Sequence, residues 1–302
     1  MTNQRKQVVG LGEILWDVLP TGKQLGGAPS NFAYISTLLG NQGIVASRIG
    51  DDALGSEARQ RLANLGVTTD FLQIDHVHPT GTVQVRVDHA GQPKFEIAEG
   101  VAWDFLEWTT AWQELAARAD AICFGSLAQR GPNTRATIRH FLTHVREEAV
   151  RIFDVNLRQD FFSEEVLTDS MKMAEIVKLN HEELPRIMHL FGLDHRDEIT
   201  SADALMDLHH LKVVCVTRGC HGSLLINQES LHEHPGYRIQ MGDAIGAGDA
   251  FTAGLVYEYM RGASLSEMNE TANRVGAWVA SQTGAMPTPG EGGIREEMAQ
   301  IG

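Results

Sequence analysis

Short apolar runs recur along this chain, each separated from the next by a segment with helical periodicity. Residues 121–125, 151–155, 176–179 and 213–217 are such runs. A strand that is apolar at nearly every position is buried on both faces. Both faces of a sheet are covered most readily when helices cross over between parallel strands. Two earlier pairs fit the same scheme. A strand at 8–15 precedes a helix at 28–39, with Phe32, Ile35 and Leu39 on one face and Gly40 as its stop. A strand at 43–49 precedes a helical stripe of Leu54, Ala58, Leu62 and Leu65 that closes at Gly66. The alternation predicts an α/β fold, a doubly wound, mostly parallel sheet flanked by helices.

One region breaks the pattern. Between 80 and 88, Val83, Val85 and Val87 alternate with Thr82, Gln84, Arg86 and Asp88. That is the signature of a half-buried strand. A turn at 89–93 and a second strand at 94–98 complete an antiparallel hairpin, so a small β-sheet is expected beside the main one. No low-complexity tract or linker divides the 302 residues, and no repeat of fixed period is present.

Charge narrows the classes of partner. Lys and Arg total 25 against 39 Asp and Glu, a net charge of −14. A general nucleic-acid binder or a polybasic membrane binder would carry the opposite balance. A local anion site is still open, because backbone amides and a metal ion can hold a phosphate. The three cysteines, Cys123, Cys215 and Cys220, form no CxxC pair. A disulfide framework is therefore not expected, and a reducing, cytoplasmic compartment fits. Glu13 and Asp17 interrupt the first apolar run, which argues against a signal peptide, and no run of about 20 apolar residues suggests a membrane span. The pairs His209-His210 and His232-x-His234 lack a metal-binding spacing and read as surface residues.

Two loops have the chemistry of a binding site. In Asp243-Ala244-Ile245-Gly246-Ala247-Gly248-Asp249, small residues let the backbone approach a ligand closely. The helix that follows would aim its free N–H groups at the same place, making an anion hole. Asp249 stands at the helix start, where it could accept a proton from an attacking hydroxyl. Alone, the loop reads equally well as a turn followed by a stabilising first-turn acid. In Leu25-Gly26-Gly27-Ala28-Pro29-Ser30-Asn31, a glycine pair precedes a helix and Asn31 offers both a donor and an acceptor. Alone, it is an ordinary helix start with proline in the first turn. Neither loop is a GxxxxGK[ST] phosphate loop, and only Gly10-Leu11-Gly12 follows the first strand, so a nicotinamide dehydrogenase lacks its fingerprint here.

Taken together, these segments resemble the PfkB, or ribokinase-like, carbohydrate kinases. Gly26-Gly27-x-x-x-Asn31, Arg48-Ile49-Gly50-Asp51-Asp52-x-x-Gly55 and the 243–249 loop fall in that family's order and spacing across nearly the whole chain. Gly12-Glu13-Ile14-Leu15-Trp16-Asp17, Phe124-Gly125-Ser126-Leu127-Ala128-Gln129-Arg130 and Phe153-Asp154-Val155-Asn156-Leu157-Arg158 are most like its fructokinase branch. Ala244 departs from the family's usual Thr.

The resemblance implies one ribokinase-like kinase domain over 1–302, with a β lid inserted at about 14–25 and 80–106. It implies ATP-dependent transfer of the γ-phosphate to a hydroxyl of a monosaccharide, fructose first. Asp249 matches the catalytic base, and Gly246, Ala247 and Gly248 match the anion hole. Asp17, Gly27 and Asn31 match sugar-binding positions. Arg158, after its strand, could hold a sugar oxygen, or else pair with Asp154 or Asp160. Asn180 and Glu183 match an Asn-x-x-Glu element near Mg²⁺, with Glu183 acting through water; alone they are a helix cap with first-turn acids. Thr217, Gly219 and Gly222 match a turn against the nucleotide, and Asn273 a position beside the adenine. The 282–285 segment and the loop near Asp243 match a monovalent-cation (K⁺) site. A homodimer through the β lid is a further family trait. Two rivals stay open: a kinase for another acceptor (2-keto-3-deoxygluconate, another ketose or aldose, a nucleoside), and a non-catalytic sugar or nucleotide sensor on the same fold.

Overall fold

The computed structural model describes residues 5–19, 22–87 and 93–302. In chain order the strands are β1 Gln7–Leu11, β2 Leu15–Leu19, β3 Gly22–Gly26, β4 Gln42–Gly50, β5 Leu72–Asp75, β6 Gly81–Val87 and β7 Pro93–Ile97. They continue with β8 Ala121–Gly125, β9 Val150–Asp154, β10 Ile176–Asn180, β11 Val213–Thr217, β12 Ser223–Ile226 and β13 Leu231–His234. The helices are α1 Ala28–Leu38, α2 Ala53–Asn64, α3 Thr110–Arg118, α4 Pro132–His144, α5 Glu164–Met173, α6 Glu183–Leu190, α7 Glu198–His209, α8 Ala247–Tyr259, α9 Leu265–Ala280 and α10 Gly293–Ala299.

Nine strands form the main sheet in the order β13-β12-β11-β10-β9-β8-β1-β4-β5. From β5 to β11 every neighbouring pair is parallel, while β12 and β13 close the edge antiparallel. Successive residues of the parallel strands feed opposite cores. Val9, Ile122, Phe153, Val177 and Val214 join one, which also holds Trp103, Trp112 and Phe141. Val8, Cys123, Ile152, Ile176 and Cys215 join the other, with Phe32, Ile35, Leu255 and Trp278. Burial on both faces is why these strands carry no polar face. Among the described residues no helix is long and apolar enough to cross a membrane.

The small sheet has the order β3-β2-β6-β7. It is formed by the two inserted segments, since β2 runs parallel to β6. The turn expected at 89–93 lies largely outside the described residues. Trp16 of β2 is fully buried on α2, with its Nε1 donating to the Leu54 carbonyl at 3.0 Å. Lys23 and Arg61 lie over its ring at 4.7 and 5.0 Å, which cements the sheet to the main body.

Several sequence expectations need correction. The first strand does not reach residue 15. It ends at Leu11, because Gly12 takes a positive φ of 144° and the chain turns out of the main sheet before Leu15 starts β2. The strands β5, β12 and β13, four residues each, are too short to leave a periodic signal. His209 and His234 are buried rather than exposed. His209 packs on Phe191, and His234 Nε2 pairs with Glu270 at 3.0 Å. The cysteines are unpaired, with Cys123 and Cys215 inside parallel strands.

Helix α1 seats against β1 by a close backbone approach. A Cβ at Gly10 would lie 2.0 Å from the Pro29 carbonyl oxygen, so only glycine permits the contact. Gly10→Ala is therefore expected to destabilise the protein by about 1–3 kcal/mol, the usual cost of overpacking, as read by urea denaturation. Wild-type stability in the variant would contradict this seating.

Candidate active site

Helix α8 begins at Gly246, whose φ of 77° is left-handed and costs little only for glycine. A Cβ there would also meet Ala285 at 2.5 Å. No side chain caps this helix. The backbone amides of Gly246, Gly248 and Asp249 find no partner among the described residues, and that of Ala247 has only a 3.3 Å bond to Ala244. Asp243 Oδ1 accepts the Ile245 amide at 3.0 Å, so the loop turns without the hydroxyl that Ala244 lacks. The result is a cluster of N–H groups at the positive end of a 13-residue helix, suited to an anion.

Asp249 lies in the first turn of α8, half-buried. Its Oδ2 accepts a 2.7 Å hydrogen bond from Asn31 Nδ2, across 218 residues of sequence. Burial, and then the charge of Asp154, lift the Asp249 carboxyl to about 6, against the pull of Asn31, Lys178 and Arg158. A carboxyl poised there can take a proton near neutral pH. Asn31 is placed by the entry of α1. Gly27 caps that helix at φ 104°, and a Cβ on it would lie 2.6 Å from the Glu13 carbonyl oxygen.

Asp17 sits midway along β2 on the small sheet, half-buried and without a hydrogen-bond partner among the described residues. Burial raises its carboxyl, and Arg158 opposes the rise. Arg158 is exposed, on a loop between two left-handed residues, Asn156 (φ 43°) and Gln159 (φ 49°). Among the described residues its side chain makes one hydrogen bond, to the neighbouring Leu157 carbonyl at 3.3 Å. The ion pair with Asp154 or Asp160 allowed by spacing is not formed among them. The Arg158 charge instead acts to lower the carboxyls of Glu13, Asp17 and Asp249.

Asp154 is occupied elsewhere. Lys178 Nζ contacts both of its oxygens, at 3.1 and 3.2 Å, and Thr252 Oγ1 donates to Oδ2 at 2.9 Å. All three side chains are buried. This triad locks the first turns of α8 onto β9 and β10, and Lys178 Nζ would be 3.1 Å from a Cβ on Gly248. Asp154, Glu183 and Asp249 together hold the lysine in its charged form.

Of the residues expected to meet the nucleotide, Asn180 and Thr217 lie at neighbouring strand ends, as cross-strand partners of β10 and β11. Asn180 and Glu183 form a reciprocal cap. Asn180 Oδ1 accepts the Glu183 amide at 2.9 Å and Glu183 Oε2 accepts the Asn180 amide at 2.8 Å. Glu183 Oε1 also accepts the Leu157 amide at 2.8 Å, so the same carboxylate fastens the Arg158 loop. Gly219 and Gly222 shape a tight turn, with φ of 58° and 81°. Arg218 anchors that turn through Glu198 and Glu233. Asn273 lies on α9, but its amide is committed to Ser223 Oγ (2.7 Å) and the Asn269 carbonyl (2.8 Å). No group of three His, Cys, Asp or Glu side chains among the described residues could cage a metal.

Two features were not assigned a role from sequence. Glu13 is a buried acid at this site, and Lys178 is a charge inside an otherwise apolar strand. The second left a signal, since an unpaired lysine in a strand buried on both faces needs a partner. Lys178→Met leaves Asp154 buried and uncompensated, so it is expected to lose about 3–5 kcal/mol of stability in thermal or denaturant unfolding. Pairing it with Asp154→Leu should recover part of that. A single variant as stable as wild type would contradict the locking role.

Comparison with known proteins agrees with this geometry. The sequence profile of the pfkB family carbohydrate kinases matches residues 12–290. A fructokinase of Escherichia coli is 30% identical, covering 91% of this chain and 94% of its own. A sugar kinase of Pyrococcus horikoshii, solved in complex with ATP, superposes with a TM-score of 0.80 at 26% identity, covering 97% of this chain and 99% of that one. A double mutant of Vibrio cholerae fructokinase, solved with fructose, ADP and a potassium ion, gives 0.80 at 25% identity, covering 95% and 96%. With the ribokinase-like α/β fold, the match across most of the sequence and an acid held beside free helix amides, this chain belongs to the PfkB family of carbohydrate kinases.

Proposed function

We propose that this sugar kinase transfers the γ-phosphate of ATP to a hydroxyl of a monosaccharide, with fructose the favoured acceptor. The observation that carries the reading is Asp249, held by Asn31 at 2.7 Å beside three unpartnered backbone amides. Asp249 takes the proton of the attacking hydroxyl, and Asn31 fixes which carboxylate oxygen is free to do so. The amides of Gly246 and Gly248, with Ala247 between them, receive the charge on the transferring phosphoryl group. Asp17, Gly27 and Arg158 line the sugar side. Asn180, Thr217, Gly219, Gly222 and Asn273 belong to the nucleotide side. The small sheet acts as a lid that excludes water while the hydroxyl attacks.

An Mg²⁺ ion carried on the phosphates would keep several of its waters. Both oxygens of Glu183 already accept backbone amides, so Glu183 would hold one of those waters rather than the ion. When bound, Mg²⁺ supplies charge neutralisation between the β- and γ-phosphates. A K⁺ site beside Asp243 is supported by the closeness of the two loops. A Cβ on Gly242 would lie 2.4 and 2.9 Å from the Gln282 and Ser281 carbonyl oxygens.

Fructose is the first acceptor to test because named fructokinases are among the relatives matching over most of the chain. In a coupled assay of ADP release, Asp249→Asn is expected to lower kcat at least about 100-fold with little change in the KM for sugar. Turnover near wild type would overturn the role of Asp249. The same assay with ketoses, aldoses, 2-keto-3-deoxygluconate and a nucleoside ranks the acceptors, and preference for the nucleoside would overturn the fructose assignment.

A further inference from the structure

Three buried oxygens near the start of α1 have no hydrogen-bond partner among the described residues: Glu13 Oε2, Asn31 Oδ1 and Ser30 Oγ. Their residues are 3%, 4% and 0% exposed. An unsatisfied buried polar atom costs about 1–3 kcal/mol, so such a group calls for an explanation. Two of the three, on Glu13 and Asn31, can only accept from a ligand. Asn31 Oδ1 is a carbonyl oxygen, its Nδ2 donating to Asp249, and an ionised carboxylate has no proton to give. Asp17, likewise without a partner, adds a further acceptor.

The charges point the same way. Asp249 lies close enough to Glu13 to raise its carboxyl, and the Arg158 charge opposes the rise at Glu13, Asp17 and Asp249 alike. A site rich in acceptors and negative charge suits a ligand made of hydroxyl donors and repels one that is itself an anion.

We propose that Glu13 is a specificity-determining residue of the sugar pocket, its unpartnered Oε2 accepting a hydroxyl of a neutral polyol and disfavouring acceptors that carry a carboxylate. The assignment rests on the kinase reading and narrows its substrate class. The Glu13 carboxyl is steadied by the backbone amides of Glu13 and of Ala28, the first residue of α1, which leaves Oε2 free. Gly27 packs on the backbone of residue 13, not on its side chain. The charged groups that face Glu13 are Asp249 from α8 and Arg158 from the loop after β9. Burial first, then Asp249, lift its carboxyl to about 7, while backbone amides and Arg158 oppose the rise. It is therefore mostly ionised at pH 8, where the discrimination should be fullest.

The test compares D-fructose with 2-ketogluconate, the same ketose skeleton bearing a carboxylate at C1, at pH 8. Wild type, Glu13→Gln and Glu13→Met are assayed by ADP release and, without nucleotide, by calorimetric titration of each sugar. Glu13→Gln keeps the shape and removes the charge, so the preference for fructose should narrow at least about tenfold. Glu13→Met removes the acceptor oxygen, so the KM for fructose should rise about tenfold with kcat little changed. Unchanged preference and unchanged KM in folded variants overturn the proposal. Should wild type phosphorylate neither sugar, the fructose assignment fails, and the titrations still decide the role of Glu13. Fructose binding weakened in Glu13→Met supports the role of Glu13, and equal binding overturns it. Should Glu13→Met fail to fold, Glu13→Gln decides alone by the same preference.

Discussion

The hydrogen bond from Asn31 to Asp249 joins the two helix starts on which the site is built. Helices α1 and α8 pack against each other on one face of the main sheet, so their first turns meet. Everything needed for transfer is then referred to one carboxylate. Free amides lie beside it in the same turn, and the proposal puts the acceptor against the glycine entry to α1 and the Asp17 strand, and the nucleotide against the ends of β10 and β11. A single contact between residues so far apart cannot be fixed locally. It is fixed by the sheet, which brings the carboxyl ends of β1, β9, β10 and β11 to one edge, where ligands of doubly wound sheets bind.

Beneath that edge, the Asp154–Lys178–Thr252 triad holds α8 in place and gives Asp249 its electrostatic setting. Asp154 raises the Asp249 carboxyl more than Lys178 lowers it, so the pair adds to the shift that burial makes. A buried ion pair is an expensive way to join two strands to a helix when apolar residues would serve. Its presence here, directly under the amides of α8, fits a site whose charge must be set as well as its shape. Glu183 plays a parallel part. Its two oxygens clamp the Arg158 loop to the end of β10.

The fold was legible because burial on both faces leaves uninterrupted apolar runs, and the motif spacing named the loops that carry Asp249, Asn31 and Asp17. Short edge strands such as β5 and β12 left no period to read, and the exit from the main sheet at Gly12 was hidden inside a run that stayed apolar to Leu15. Of the motifs most like the fructokinase branch, the one at 124–130 turned out to be packing chemistry. Arg130 grips Asp104 and stacks 3.9 Å over Trp103, and Gln129 ties the Gly125 carbonyl to Ser170. Glu13 was overlooked because one acid in a loop carries no period and no spacing. Only its burial and its empty oxygen distinguish it.

The central claim is that one carboxylate, lifted by its surroundings, must be ionised for transfer. The pH dependence of kcat/KM for wild type tests it most directly. In the proposed transfer Asp249, lifted to about 6, works only when deprotonated. Activity should therefore fall on the acid side with a midpoint near 6. An acid limb near 4 would contradict the account.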